Sequence, residues 1–200
     1  HGLTRKHKDF EPLIDGLTGP HRYIAVDVRG RGRSQHDPDP ARYAPPVYAD
    51  DMAVLLDTLK IEKAALIGTS MGGLMAMIMM RAMPERVLGT VLNDVGPVVA
   101  PAGLARIAGY VGEVEALPDW DAATQASAEA QRDVFPDFGP EDWQAFASRT
   151  YRENDTGTVI LDYDPAISRA IADTKPTLKT RFAMWRLFAK MKKRPLLVTR

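Results

Sequence analysis

The sequence lacks cysteine, net charge and any long apolar run. Without cysteine, disulfides, thiolate catalysis and cysteine-based zinc sites are excluded. Lys plus Arg and Asp plus Glu both number 26, so no net field attracts nucleic acid or an anionic membrane. The longest strongly apolar stretch, Met71 to Met80, is about half of the roughly 20 residues that a membrane span needs. We therefore expect no nucleic-acid partner and no membrane span.

The length of 200 residues fits one domain, or one domain with an insertion, and leaves room for a real hydrophobic core. The chain opens at His1 without an initiator Met, so we expect its true start to lie outside the sequence. No signal peptide is visible within it, and we expect a cytoplasmic protein. The sequence does not indicate the oligomeric state.

The first half of the chain alternates predicted strands with predicted helices. Tyr23 to Val28, Ala64 to Ile67 and Val87 to Asn93 are short runs typical of buried strands. Apolar residues recur at helical spacing from Pro46 to Leu59, and a second helix is predicted from Ser70 to Met83. Strands and helices that alternate with short links predict an α/β fold, a mostly parallel sheet with helices on both faces.

After Pro97 the pattern becomes helical. Helices are predicted over four segments that Pro, Asp and Gly separate: Ala102 to Gly112, Asp121 to Phe135, Pro140 to Arg152 and Pro176 to Met191. No further strand is predicted before Pro195 to Thr199. We therefore predict a core over residues 1–96, an inserted helical layer over 97–190 and a returning core strand in 191–200.

The strongest chemical signal is the run Gly68-Thr69-Ser70-Met71-Gly72, between a predicted strand and an apolar helix. G-x-S-x-G in this context forms a tight turn, the nucleophile elbow, which lifts the serine hydroxyl above the sheet. The residues two positions to either side must be glycine, because a Cβ would collide there. A glycine-rich turn with an incidental serine is the alternative, but the flanking strand and helix favour Ser70 as a nucleophile.

Two backbone amides are candidates for an oxyanion hole beside Ser70. The elbow points the Met71 amide at the space next to the serine, and the start of the helix adds partial positive charge there. The chain begins His1-Gly2-Leu3, a turn that lets the Leu3 amide face that of Met71. A tag remnant would look similar, but the elbow about seventy residues later favours the oxyanion role.

A second glycine-rich run, Asp27-x-Arg29-Gly30-x-Gly32-x-Ser34, follows the first predicted strand. A phosphate-binding loop is one interpretation, but no Lys follows and no helix begins at once. In the other interpretation the glycines permit a sharp loop, which Asp27 and Arg29 fix by charged hydrogen bonds. We favour this structural role.

Together these motifs resemble the α/β-hydrolase superfamily: HG near the start, D-x-R-G-x-G-x-S after one strand, G-x-S-M-G-G after the next, and L-N-D-V-G-P beyond it. The resemblance covers the whole chain and is closest to the branch of esterases, enol-lactonases and C–C-bond hydrolases, which carries a helical cap. It implies that residues 97–190 form this cap and that the core is incomplete, the chain being truncated at both ends. It also implies Ser70 as nucleophile, with the amides of Leu3 and Met71 as oxyanion donors.

The resemblance implies a serine hydrolase that acts on a small ester, thioester or lactone through an acyl-enzyme at Ser70. The same serine would serve C–C-bond hydrolysis of a dione or perhydrolysis, and a non-catalytic ligand-binding protein can also have this fold. Trp143 and Trp185 of the predicted cap would shape an apolar acyl pocket. The motifs do not select one substrate.

The base of the expected triad is not evident in the sequence. In this superfamily the chain order is Ser, then Asp or Glu, then His. All four histidines precede Ser70: His1, His7, His21 and His36. We expect His7 and His36 on the surface and His21 in a turn, and none of the four as the base.

The acid of the triad has two candidate places. It normally follows the strand that begins at Pro195, so we expect both the acid and the base beyond Arg200, and the fragment alone to be inactive. Asp94 is the alternative inside the chain, because some superfamily members place the acid after the strand that ends near Asn93. For Asp94 we favour a structural role, as a loop residue that bonds nearby backbone amides.

The helix after Ser70 is rich in methionine: Met71, Met75, Met77, Met79, Met80 and Met83. A soft-metal site is one interpretation, but methionines on an apolar helix are far more often core residues. No His or carboxylate pair has convincing metal-ligand spacing. We predict no metal, no organic cofactor and a small-molecule substrate.

Overall fold

The computed structural model of the chain describes residues 1–98, 100–112, 115–172 and 177–199. The chain divides into two compact units. Unit 1 comprises His1–Leu3, Asp37–Gly109 and Ser168–Arg200, and unit 2 comprises Thr4–His36 and Tyr110–Ile167. The sequence boundaries predicted for a core over 1–96 and a cap over 97–190 stay predictions.

The helices and strands follow one another along the whole chain. The helices are α1 (Glu11–Gly16), α2 (Pro45–Thr58), α3 (Met71–Ala82), α4 (Pro101–Tyr110), α5 (Trp120–Gln131), α6 (Pro140–Thr150), α7 (Ile167–Ala172) and α8 (Leu178–Met191). The strands are β1 (Ala64–Thr69), β2 (Val87–Asn93), β3 (Tyr151–Glu153), β4 (Val159–Leu161) and β5 (Leu196–Thr199). Short 3-10 helices span His7–Phe10, Pro40–Arg42 and Pro84–Arg86. Within the described ranges, no helix has both the length and the apolar character needed to cross a membrane.

Unit 1 is built on a three-stranded parallel sheet in the order β1, β2, β5. Thr90 at the centre of β2 faces Leu66 of β1 on one side and Leu196 of β5 on the other. Parallel strands need crossover connections, and the helix α3 joins β1 to β2. Two apolar strand residues, Ile67 of β1 and Leu88 of β2, are 42% and 51% exposed. The parallel arrangement agrees with the sequence prediction, and β2 has the predicted bounds.

Methionines of α3 form the centre of the unit 1 core. Met77 and Met80 are buried together with Leu92 of β2, in a cluster that includes Leu56 of α2 and Met191 of α8. Unbranched methionine side chains adapt to the irregular space between helices and a sheet. The prediction that the methionines of this helix are core residues is confirmed.

The strand predicted over Tyr23 to Val28 is not formed. Residues 21–28 have no regular secondary structure, and Tyr23 and Ile24 are 37% and 41% exposed. A strand requires a partner that completes its ladder of hydrogen bonds, and neither sheet of the described chain includes this segment. The prediction was wrong because a β-branched run forms a strand only where such a partner is present.

The predicted helices are formed with shifted ends. The helix predicted from Pro140 to Arg152 ends at Thr150, because the next residue begins β3. Pro176, the predicted start of the last helix, lies outside the described residues. Helix α8 begins after Thr177, whose side-chain oxygen accepts a hydrogen bond from the Thr180 amide at 3.1 Å.

Unit 2 contains an antiparallel hairpin of β3 and β4 that the sequence analysis did not predict. In the turn, the Asn154 side-chain oxygen accepts hydrogen bonds from the amides of Thr156 and Thr158, each at 3.0 Å. Gly157 in the same turn has a φ of 79°. The expectation that this region holds only helices was wrong, and Asn-Asp-Thr-Gly followed by Val-Ile-Leu was the available turn and strand signal.

The two main helices of unit 2, α5 and α6, pack through small residues. Ala123 of α5 and Ala147 of α6 are both fully buried, at 0% exposure. They belong to a cluster with Tyr151 of β3 and Val159 of β4. Alanine lets two helices approach closely, so the hairpin strands can close the same small core.

Candidate active site

Ser70 lies in the turn between β1 and α3, in a backbone conformation that L-residues rarely adopt. Its φ and ψ are 50° and −111°. A Cβ at Gly68 would lie 2.4 Å from the carbonyl carbon of Gly72 and 2.6 Å from the amide nitrogen of Gly73. No side chain fits between these backbone segments, so glycine is required at Gly68. The turn is as tight as the nucleophile-elbow motif predicts.

Backbone hydrogen bonds fix Ser70 on both sides. Its amide donates to the Asn93 carbonyl at 2.9 Å, and its carbonyl accepts from the amides of Gly73 and Leu74 at 2.9 and 3.2 Å. Its side chain does not cap α3. In the part of the chain that the structure describes, the Ser70 hydroxyl has no hydrogen-bond partner. Ser70 is half-buried, and its backbone, not its hydroxyl, makes the hydrogen bonds that hold it in the turn.

The start of the chain lies against the first turn of α3. The Gly72 amide donates a hydrogen bond to the His1 carbonyl at 3.1 Å. A Cβ at Gly72 would lie 3.0 Å from the His1 nitrogen, closer than an ordinary van der Waals contact. Residues 1–3 are thereby brought beside the turn that carries Ser70. The oxyanion role of the two predicted amides stays a prediction.

Asp94 follows β2 as Ser70 follows β1. The last residues of the two strands, Thr69 and Asn93, are register partners. Neighbouring strands lie about 4.8 Å apart, so Ser70 and Asp94 leave the sheet side by side. Asp94 is exposed, has a φ of 52°, and donates its amide hydrogen to the Thr199 carbonyl at 3.0 Å.

The sequence analysis missed three polar side chains at this edge of the sheet, those of Thr69, Asn93 and Thr199. The Asn93 amide group donates to the Thr69 hydroxyl at 3.2 Å, and the Thr199 hydroxyl donates to the Asn93 side-chain oxygen at 2.9 Å. The available signal was an Asn at the end of a largely apolar strand, where this residue type is depleted. Its partner on β5 could not be found without the register of the sheet.

Comparison with known proteins decides the family. Residues 1–171 match the family model described as alpha/beta hydrolase fold. The chain belongs to the alpha/beta hydrolase fold family. The resemblance stated from the motifs and the predicted α/β fold class are confirmed.

Relatives of this alpha/beta hydrolase include named enzymes. A 3-hydroxybutyrate-oligomer hydrolase of Cupriavidus necator is 34% identical over 208 residues, which cover 100% of this chain and 69% of that protein. Esterase YbfF of Escherichia coli is 32% identical over 130 residues, 65% of this chain and 49% of the esterase. A crystal structure of an alpha/beta hydrolase from Novosphingobium aromaticivorans has a TM-score of 0.89 at 40% identity, covering 98% of this chain and 69% of that one. The protein is a hydrolase.

In this hydrolase the glycine-rich loop is fixed by Asp27. Its carboxylate accepts hydrogen bonds from the His7 amide and ring, both at 2.8 Å, and from the Arg33 amide at 3.1 Å. Burial would raise the pKa of Asp27, but the hydrogen bonds of His7 and Arg33 and the charge of His7 outweigh it and lower the pKa. A Cβ at Gly32 would lie 2.4 Å from the Asp27 carboxylate. The structural role predicted for Asp27 is confirmed.

The histidines of the hydrolase occupy different environments. His7, predicted as a surface residue, is partly buried: its side chain is 21% exposed and paired with Asp27. His36 is 56% exposed and lies 3.6 Å from Asp164, in agreement with the predicted surface position. His21 is exposed, and His1 is buried at 6% exposure.

The two tryptophans predicted to shape an acyl pocket belong to different units. Trp143 of α6 is 7% exposed and contacts Phe138 and Phe146 edge-on, with ring centroids 5.0 and 5.9 Å apart. Trp185 of α8 is 52% exposed and lies edge-on to Phe188 at 6.2 Å. Trp143 is therefore a core residue of unit 2. A substrate-binding role for either tryptophan stays a prediction.

A cavity of about 570 Å³ lies within unit 2. Its lining is mainly charged and polar, and its charged groups include Lys6, His7, Asp27, Arg152 and Asp162. Lys6 pairs with Asp162 and His7 with Asp27, and Arg152 lies 3.5 Å from Asp162. Each of these five charged groups therefore lies beside a group of opposite charge.

Proposed function

We propose that this hydrolase uses Ser70 as the nucleophile of an acyl-enzyme mechanism. The observation that carries the proposal is the strained backbone of Ser70, at a φ of 50° between a parallel strand and a helix. Such a conformation costs about 1–3 kcal/mol and is typical of functional sites. The Ser70 hydroxyl does not cap the helix, which supports its availability for attack on a carbonyl carbon.

The amides of Leu3 and Met71 are the proposed oxyanion hole. Met71 is the first residue of α3, where the aligned peptide dipoles create partial positive charge. Residues 1–3 lie against the same turn through the hydrogen bond between Gly72 and His1. Negative charge on the oxygen of a tetrahedral intermediate would be stabilised between the two amides, and losing one such donor costs about 10²–10³ in rate.

Asp94 is the proposed acid within this chain. A triad acid orients the histidine base and stabilises its protonated form. Asp94 leaves the sheet beside Ser70, and its exposed carboxylate is accessible to a base at that edge. The Ser70 hydroxyl has no partner in the described ranges, so none of the histidines there is assigned as the base.

Small esters, thioesters or lactones are the proposed substrates. The units of a 3-hydroxybutyrate oligomer are joined by ester bonds, and YbfF is named an esterase, which supports cleavage of a carbonyl–oxygen bond. Hydrolysis of a C–C bond and perhydrolysis would use the same nucleophile. Their products distinguish these reactions from ester hydrolysis. A non-catalytic ligand-binding protein would turn over none of these substrates.

Turnover of p-nitrophenyl acetate and butyrate by the full-length protein tests the proposal. We expect Ser70→Ala to lower kcat/KM by at least about 10³-fold, because the nucleophile is lost. Ser148→Ala is the matched control, since that serine is exposed and its hydroxyl donates to the Ala145 carbonyl at 2.8 Å in its own helix. Equal turnover by Ser70→Ala and wild type would contradict the proposal.

A further inference from the structure

Three polar side chains form one row at the carboxyl edge of the unit 1 sheet. Thr69 of β1, Asn93 of β2 and Thr199 of β5 are register partners on neighbouring strands. Asn93 donates to the Thr69 hydroxyl and accepts from the Thr199 hydroxyl, at 3.2 and 2.9 Å. The row joins the ends of all three strands through side chains, in addition to the backbone ladder.

The backbone of the same row holds Ser70 and Asp94. The Asn93 carbonyl accepts the Ser70 amide at 2.9 Å, and the Thr199 carbonyl accepts the Asp94 amide at 3.0 Å. Ser70 and Asp94 have φ values of 50° and 52°. Non-glycine residues persist in this region only where their surroundings over-determine the conformation. Ser70 and Asp94 are therefore hydrogen-bonded to Asn93 and Thr199, whose side chains are hydrogen-bonded to each other.

The chemistry of the row depends on an amide at its centre. A carboxamide can donate to one neighbour and accept from the other, which neither a carboxylate nor an aliphatic group can do. An apolar residue at Asn93 would leave the Thr69 and Thr199 hydroxyls without this bridge. Asparagine is otherwise depleted in strands, so the bridge is the physical reason for its presence here.

We propose that Asn93 is a positioning residue for the reaction at Ser70 and acts as one unit with Thr69 and Thr199. The proposal rests on the proposed roles of Ser70 as nucleophile and Asp94 as acid. Asn93 fixes the spacing between these two residues, and a misplacement of about 1 Å can cost about 10²-fold in rate. Loss of the bridge therefore lowers the rate of the chemical step and leaves substrate binding unchanged.

Substitutions at Thr199 test the proposal with little risk to folding, because this residue is exposed. In the full-length protein, we expect Thr199→Val to lower kcat for p-nitrophenyl butyrate about tenfold and to change KM less than about twofold. Thr199→Ser restores the hydroxyl, and we expect it to recover most of the loss. Thr58→Val is the matched control: it removes a hydroxyl that donates to the Val54 carbonyl at 2.8 Å, and both constants should stay unchanged.

A double substitution tests whether the row acts as a unit. We expect Asn93→Ala to lower kcat as Thr199→Val does, and the double variant to be no slower than Asn93→Ala alone. An unchanged kcat in Thr199→Val would overturn the proposal, as would a Thr199→Ser variant no faster than Thr199→Val. Losses that multiply in the double variant would equally contradict it.

The failure of the two proposals can be distinguished. Activity that survives Ser70→Ala would overturn the proposed function. Activity that requires Ser70 but has the wild-type kcat in Thr199→Val would overturn only the positioning role of Asn93. Thermal unfolding of each variant identifies any loss of activity that comes from loss of the fold.

Discussion

Ser70 and Asp94 occupy matching positions at the ends of neighbouring parallel strands. Each follows the last residue of its strand, and those residues, Thr69 and Asn93, face each other in register. The φ values of Ser70 and Asp94 are 50° and 52°. Ligands of open α/β sheets bind outside the carboxyl ends of the strands, and this edge is where the two strained residues lie.

Asp94→Asn tests whether this neighbour of Ser70 is the acid. Removal of the charge leaves the base without its orienting partner, so we expect kcat of the full-length protein to fall by at least about 10²-fold with little change in KM. Asp50→Asn, at an exposed position of α2, is the control and should keep wild-type activity. An Asp94→Asn variant with wild-type kcat would exclude Asp94 and leave the acid to be found after β5.

Gly68→Ala tests the tightness of the turn. Its new Cβ would lie 2.4 Å from the Gly72 backbone, which cannot move without shifting Ser70. We expect at least a tenfold loss of activity, about 1.4 kcal/mol in barrier height, and a lower melting temperature. Gly103→Ala in α4 is the control, because nothing lies within 4 Å of its added Cβ. Equal activity of the two variants would show that the turn tolerates a side chain.

The sequence was sufficient for the features that local geometry determines. The turn around Ser70 requires a strand, glycines and a helix that are contiguous in the chain. The local sequence was therefore enough to predict the turn. The α3 methionines likewise needed only an apolar helix to be assigned to the core.

Features that depend on distant partners could not be predicted. Tyr23 to Val28 has strand composition but pairs with no strand in the described chain, and composition alone cannot supply a partner. His7 lies 20 residues before Asp27, and their hydrogen bond exists only in the folded loop. The bridge from Asn93 to Thr199 requires the register of a strand 106 residues away.

Asp27 is expected to make stability depend on pH. Its lowered pKa means that the folded chain keeps the carboxylate ionised at pH values where the unfolded chain takes up a proton. The resulting stabilisation is complete above the ordinary value of 3.8 and is lost as pH falls through the lowered pKa. We expect Asp27→Asn to reduce the free energy of unfolding at pH 7 by about 1–3 kcal/mol.

Urea unfolding at pH 7, 5 and 3 measures this effect. Between pH 5 and pH 3 the difference between wild type and Asp27→Asn should shrink, because the Asp27 carboxylate is progressively protonated. Asp155→Asn, at an exposed position of the hairpin turn, is the control and should unfold like wild type throughout. A difference that grows between pH 5 and pH 3 would contradict the hydrogen-bonded, ionised state of Asp27.

Covalent labelling by a fluorophosphonate, with the adduct located by mass spectrometry, tests the central role of Ser70 most directly. An activated serine attacks this reagent at phosphorus, whereas an ordinary surface serine does not. For the full-length protein we predict one adduct on Ser70, its loss in Ser70→Ala and its retention in Ser148→Ala. An adduct on another residue, or no labelling of a folded wild-type protein that still hydrolyses esters, would contradict Ser70 as the nucleophile.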